Sequence, residues 1–310
     1  MTRESGYSVL ELLIASAILM TVSGAVLGLL HDGLAGTPVL EEKTDLHQRA
    51  RVVADALGDD LRAAAAGPRS GPLSRYFAAV EPRRRAEPPG SASASAVTLR
   101  SVVPRGAHSR LVQPLAPAGP FAIIDSATGC PLSTAACGFR AGAGAVIFDP
   151  GGFFDFVEIE ATGPGVLSVS SAPGGRSSSY AAGAEIAEAV EVTYFLDAAT
   201  RQLRRQEGGG TFVLADNVTG MTFEYFADEL VPLPLSSFQD GPFTGAGAMA
   251  FDVDLLRIRA VRATVRVETG VDAMRGADTR LFARPGTATG RGVIPDVAWR
   301  VDVSLRNGGS

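Results

Sequence analysis

The strongest constraint on this chain is a single charge inside an apolar run near its start. Residues 7–30, YSVLELLIASAILMTVSGAVLGLL, carry Glu11 and no other charged side chain. As an α-helix, about 24 residues extend ~36 Å at ~1.5 Å per residue. That is enough to cross a hydrocarbon core ~30 Å thick with some tilt. A carboxylate at that depth costs on the order of 2.5–3.5 kcal/mol, so an ordinary anchor has no reason to keep one. A cation brought to Glu11 inside the membrane lowers the cost, and a free α-amino group would serve. A cut after Gly6 would create one on Tyr7, one helical turn before Glu11 or beside the Glu11 of a neighbouring copy. A secretory signal peptide has a shorter apolar core with a small-residue cleavage site beyond it. Here the expected cut precedes the apolar run, so the helix stays with the mature chain.

The stretch GYSVLELLIASAILMTVSGAVLGLL resembles the N-terminal signature of type IV prepilins and type II secretion pseudopilins. In that family a short leader ends in Gly, the first mature residue is aromatic, and the fifth is Glu. Gly6, Tyr7 and Glu11 occupy those places. Tyr7 stands where Phe is commoner, and the leader sets Glu4 beside Arg3, so its positive charge is weak. The resemblance implies cleavage of the Gly6–Tyr7 bond and N-methylation of Tyr7 by a prepilin peptidase. It also implies storage in the inner membrane with the C-terminal part in the periplasm, and assembly with other minor and major pilins or pseudopilins. Glu11 would meet a neighbour's N-terminus. In the C-terminal half, VTYFLDAATRQLRR, GMTFEYF, an Arg-alternating strand and a terminal VSLRN are similar to PilW-type minor pilins and GspJ-type pseudopilins, as is HQRARVVADALGDDLRAAAAG after the anchor.

The expected fold is therefore α+β and pilin-like. A long N-terminal helix, membrane-spanning in its first half, packs on an antiparallel β-sheet head with long loops. Its parts are a leader (1–6), a membrane or filament-core helix (7–30), an amphipathic second half (31–66) and a β-rich periplasmic head (67–310). Gly33, Gly36 and Pro38 are expected to interrupt or kink the helix. Beyond them Leu46, Ala50, Val53, Leu57, Leu61 and Ala64 step by three or four and make one apolar stripe. Gly67-Pro68 ends the helix.

The 310 residues suffice for one or two domains. With 36 Gly and 19 Pro, the remainder reads as loop-rich and β-rich. Residues 67–96 are expected to be loop. Strands are expected at 96–103, 145–148, 154–161 and 166–170. A hairpin of 189–196 with 202–206 follows, then a pair of 212–214 with 221–226 joined through Asp216-Asn217. Residues 104–120 read as irregular, 230–252 as a long exposed loop and 269–295 as loop. In LLRIRAVRATVRVET, Leu256, Ile258 and Ala260 share one face, and after a slip in phase so do Val261, Ala263, Val265 and Val267. A bulge near Ala260-Val261 would keep both sets on one core, leaving Arg257, Arg259, Arg262 and Arg266 in a row on the wet side. The last strand, 298–305, puts Trp299, Val301, Val303 and Leu305 on one face.

A net charge of −5 gives no global attraction for nucleic acid. Cys130 and Cys137, in GCPLSTAACGF, are expected to form a small structural disulfide. A metal site would need partners, and no other Cys or His lies nearby. Asp149 with Asp155, or Asp252 with Asp254, could belong to a calcium site, but EF-hand spacing is missing and turn or surface roles are expected. His31, His47 and His108 are scattered, and no nucleophile elbow, metalloprotease helix or P-loop occurs. No catalytic residue, cofactor or metal is expected, and the chain reads as a structural subunit. The rivals are an anchored adhesin or DNA-uptake receptor, for which Arg83, Arg84, Arg85 and the arginine strand are the hints, and an anchored periplasmic enzyme.

Overall fold

The computed structural model describes residues 8–64, 78–82, 96–103, 105–128, 130, 135–150, 153–171, 179–208, 210–227, 231–238, 253–290 and 292–305. The chain is an N-terminal apolar helix followed by mostly antiparallel sheet. It divides into two compact units, Met1–Gln48 with Glu268–Asp296, and Arg49–Val267 with Val297–Ser310.

The helix, α1 (Val9–Ala64), runs without interruption through Gly33, Gly36 and Pro38. Pro38 brings no N–H to the ladder, so the carbonyl four residues earlier loses that donor while the helix continues. The stripe Leu46, Ala50, Val53, Leu57, Leu61 and Ala64 is buried throughout. Tertiary burial, rather than local propensity, is what sustains a helix of this kind. The expected stop at Gly67-Pro68 lies outside the described residues.

The larger unit holds two sheets. The first contains β1 (Val80–Pro82), β2 (Ala96–Val102), β3 (His108–Arg110), β4 (Phe121–Ile123), β5 (Gly144–Phe148), β6 (Phe154–Gly163), β7 (Val166–Ser171), β8 (Glu185–Asp197), β9 (Gln202–Glu207) and β10 (Gly210–Ala215). All its ladders are antiparallel. β8 organises it. Its first residues pair with β3 and β5, and its later ones with β2 and β9. The second sheet is β11 (Val218–Phe226), β12 (Ala260–Val267) and β13 (Val297–Ser304), in that order.

Several expectations need correction. Residues 67–96 contain strand β1, too short to show alternation and ending in a proline. Residues 104–120 contain β3, equally short. The segments around 212–214 and 221–226 do not pair. β10 lies on β9 and β11 on β12, in different sheets. The chain turns between them at Asn217, whose φ of 57° is the left-handed conformation that Asn tolerates better than most residues. Residues 256–259 are not strand. A 3₁₀ turn, Val253–Arg257, precedes β12. Leu255 in the turn and Ile258 just after it are both buried, and the Ile258 N–H bonds to the Leu255 carbonyl at 3.3 Å, so the phase slip falls in this turn and its exit rather than at a strand bulge. Arg257 and Arg259 therefore lie off the strand. Residues 230–252 are not wholly exposed loop either, because Leu233 N–H bonds to the Tyr225 carbonyl and the Phe238 ring packs edge-on against Tyr225 at 5.7 Å. On β13, Trp299, Val301 and Val303 share a face as expected, but this is an edge strand and Trp299 remains 38% exposed.

In the smaller unit, the described residues of 268–296 are loop as expected, with one short 3₁₀ turn at Asp272–Met274. Phe282 and Ile294 are buried. Fully buried Glu268 binds Arg275 and Arg284 at 3.2 and 3.1 Å. Gly286 passes so close to Arg275 that a Cβ would strike its carbonyl oxygen. Glu42 of α1 accepts from Thr269 Oγ1 at 2.9 Å and from the Gly270 N–H at 2.7 Å.

Candidate functional site

The first part of α1 is the chain's most unusual surface. Val9–Leu30 is long and apolar enough to cross a membrane, and none of it is buried. Leucine, isoleucine, valine and methionine side chains are exposed all round it, from Val9 to Leu30. A soluble domain of this size rarely leaves so much contiguous apolar surface bare. Two of its hydroxyls are satisfied within the helix. Ser16 Oγ donates to the Leu12 carbonyl at 2.7 Å, and Thr21 Oγ1 to the Ala17 carbonyl at 2.7 Å. Such back-bonding is what polar side chains need in a medium that offers no water.

Glu11 stands at the third position of this helix and is exposed. Ser8 Oγ accepts the Leu10 N–H at 3.3 Å, so Ser8 caps the helix start. An acidic residue in the first turn suits the positive end of the helix dipole. Gly6 and Tyr7, the expected processing site, lie outside the described residues.

The far part of α1 is fixed by polar contacts that the apolar stripe does not reveal. Asp60 accepts from Tyr194 Oη of β8 at 2.5 Å and from Arg205 Nε of β9 at 2.8 Å. Arg205 also pairs with Glu207. Burial, then the hydrogen bond to Asp60, pushes the Tyr194 phenol well above its ordinary range. For Arg205, burial pulls downward, but the bonds to Asp60 and Glu207 outweigh it and hold the guanidinium charged. Arg49 Nη1 adds a long contact to the Asp216 carbonyl at 3.5 Å.

A second charged group sits in the first sheet. Arg100 of β2 pairs with buried Glu81 of β1 and, at 2.9 Å, with Glu191 of β8, and lies 5.1 Å from the Phe156 ring centre. Sequence reasoning missed both groups. Asp60 borders the stripe without breaking it, and Glu81 falls in a segment with no periodicity.

Cys130 and Cys137 are joined by a disulfide. It borders an apolar cluster that includes Leu111, Ile124, Phe139 and Ile159. Asp149 closes a turn by accepting the Phe153 N–H at 3.1 Å, while buried Asp155 accepts from Tyr180 Oη at 2.8 Å. Asp252 and the side chain of Asp254 lie outside the described residues. Among the described residues no cluster of His, Cys, Asp or Glu has the make-up of a metal site.

Some of the arginines that hint at an anionic ligand can be placed. Arg83, Arg84 and Arg85 lie outside the described residues. On β12, Arg262 is bracketed by Asp302 at 2.6 Å and Glu224 at 3.5 Å. Arg300 of β13 pairs with the same Asp302 at 3.0 Å. That face is a mosaic of both signs rather than a basic row. No protein-family model matches this chain, and no curated protein matches it.

Proposed function

We propose that the chain is a minor pilin or pseudopilin, a membrane-stored subunit that enters the tip or initiating complex of a type IV pilus or type II secretion pseudopilus. The observation that carries this reading is the bare apolar Val9–Leu30 helix, continuous with a second part of which one apolar stripe is buried. A prepilin peptidase cleaves after Gly6 and methylates the new amine of Tyr7. The helix waits in the inner membrane with the β-rich part in the periplasm, where an oxidising environment suits the Cys130–Cys137 bond. On assembly it leaves the bilayer and packs among other pilins or pseudopilins.

The function is assembly rather than turnover. Apolar side chains along Val9–Leu30 exchange lipid for protein neighbours. That exchange gives cohesion with little discrimination between registers, because lipid tails are as apolar as leucine. Glu11 supplies the discrimination. In one register it meets a neighbour's N-terminal amine, and in any other it stays unpaired in an apolar core.

The test is Glu11→Ala. Membrane insertion is expected to match wild type, since the substitution removes a charge from the span. Incorporation into sheared filaments is expected to fall at least tenfold, because a neighbour's amine is left buried without its partner at a cost of about 3–5 kcal/mol. Normal incorporation of Glu11→Ala contradicts the assigned role.

A further inference from the structure

Among the described residues β10 is the longest edge strand of the first sheet, and it carries no charge. Among the described residues it pairs with β9 alone. Thr211, Phe212 and Val213 are consecutive and all exposed, Phe212 at 60% and Val213 at 51%. Successive residues of a strand point to opposite faces, so both faces are bare here as well as the edge. The sequence GTFVLA contains no charge and no proline. Other edges are guarded in the usual ways. β1 is three residues long, with Glu81 and Pro82. β4 is equally short. β13, on the second sheet, carries Arg300 and Asp302. A bulge between Val213 and Ala215 limits the regular part of β10 to residues 210–213.

We propose that this edge pairs antiparallel with β10 of a second copy of the chain, about a two-fold axis through Phe212. The β9–β10 register places Gly210 opposite Glu207 across the hairpin turn. From that closing pair the ladder alternates, so Thr211 and Val213 turn their N–H and C=O groups away from β9. In the dimer Thr211 of each copy exchanges hydrogen bonds with Val213 of the other. The two Phe212 residues meet in the close, non-hydrogen-bonded position, where an aromatic pair is favourable. A two-fold contact must be self-complementary, and a neutral strand sets no like charges against each other. This explains why the occupant is a copy rather than a charged peptide.

The patch is small. A few paired residues bury far less than the ~1,200 Å² of a stable interface, so free chains would not dimerise through it. Copies tethered in one membrane are concentrated enough for a weak contact to form. The inference rests on the membrane reading of α1, and on neither cleavage after Gly6 nor the role of Glu11.

The experiment uses the full chain in native membranes. Phe212→Cys, mildly oxidised, is expected to give a disulfide-linked homodimer at least tenfold above Val112→Cys, a control of similar exposure at 50%. Adding Thr211→Lys and Val213→Lys sets lysine opposite lysine twice across the axis and is expected to lower that yield about tenfold. If Phe212→Cys proves misfolded by circular dichroism, Thr211→Cys and Val213→Cys replace it. Those two are expected to cross-link when co-expressed and not when expressed singly. Yields equal to the Val112→Cys control, insensitivity to the two lysines, or cross-links only to another protein overturn the proposal. Glu11-dependent filament incorporation is scored in the same cells. Its persistence alongside a failed cross-link removes the β10 contact and leaves the subunit reading intact.

Discussion

A charge that borders an apolar stripe must find a partner when the stripe is covered. Asp60 does so twice, with the buried Tyr194 hydroxyl and with Arg205. A hydrogen bond to a charged group contributes about 1.5–3 kcal/mol, and removing the shared acceptor strands two donors at once. Asp60→Ala is therefore expected to destabilise the detergent-solubilised chain by about 3 kcal/mol in urea unfolding. Tyr194→Phe leaves Arg205 on Asp60 and is expected to lose only about 1.5 kcal/mol. Equal and negligible losses would mean that the triad is decorative. None of this was visible in sequence, because a lone Asp on a helix gives no sign of which strand will come to meet it. Glu11 was visible for the opposite reason. A charge inside an apolar run violates a rule that holds along one dimension of chain.

At the scale of elements, α1 lives in two environments with one secondary structure. Its first part is apolar all round and bare, and its last part is apolar on one stripe and buried. The stripe was legible because a 3.6-residue period survives whatever covers it. Leu57 lies fully buried at its centre. Leu57→Ala is expected to cost about 2–5 kcal/mol by urea unfolding, from lost transfer energy and the residual cavity. A cost under about 1 kcal/mol would mean that the stripe packs loosely. The strands from β5 to β9 were legible too, since Pro-Gly and Asp-Ala-Ala-Thr turns separate alternating segments. What failed was pairing. Asp216-Asn217 reads as a hairpin turn, yet the chain uses it to leave one sheet for the other. Turn residues declare a change of direction, and long-range packing chooses the partner. The 3₁₀ turn at Val253–Arg257 escaped for a related reason, because Leu256, Ile258 and Ala260 alternate as a strand face would, whereas the residues buried there are Leu255 and Ile258.

Over the whole molecule, the chain combines a membrane-length helix, a disulfide in a β-rich unit and a modest negative charge. Of these, the disulfide agrees with the proposed placement of the β-rich part in an oxidising compartment. In the proposed reading, the site that turns an anchor into a filament subunit is the junction of Gly6 and Tyr7, whose cleavage would create the amine proposed to meet Glu11. Its decisive measurement is the mass of the N-terminal peptide of the mature protein, purified from cells with an active prepilin peptidase. The account predicts a chain beginning at Tyr7 and carrying one methyl group on its amine. A chain that retains Met1 through Gly6 would contradict it.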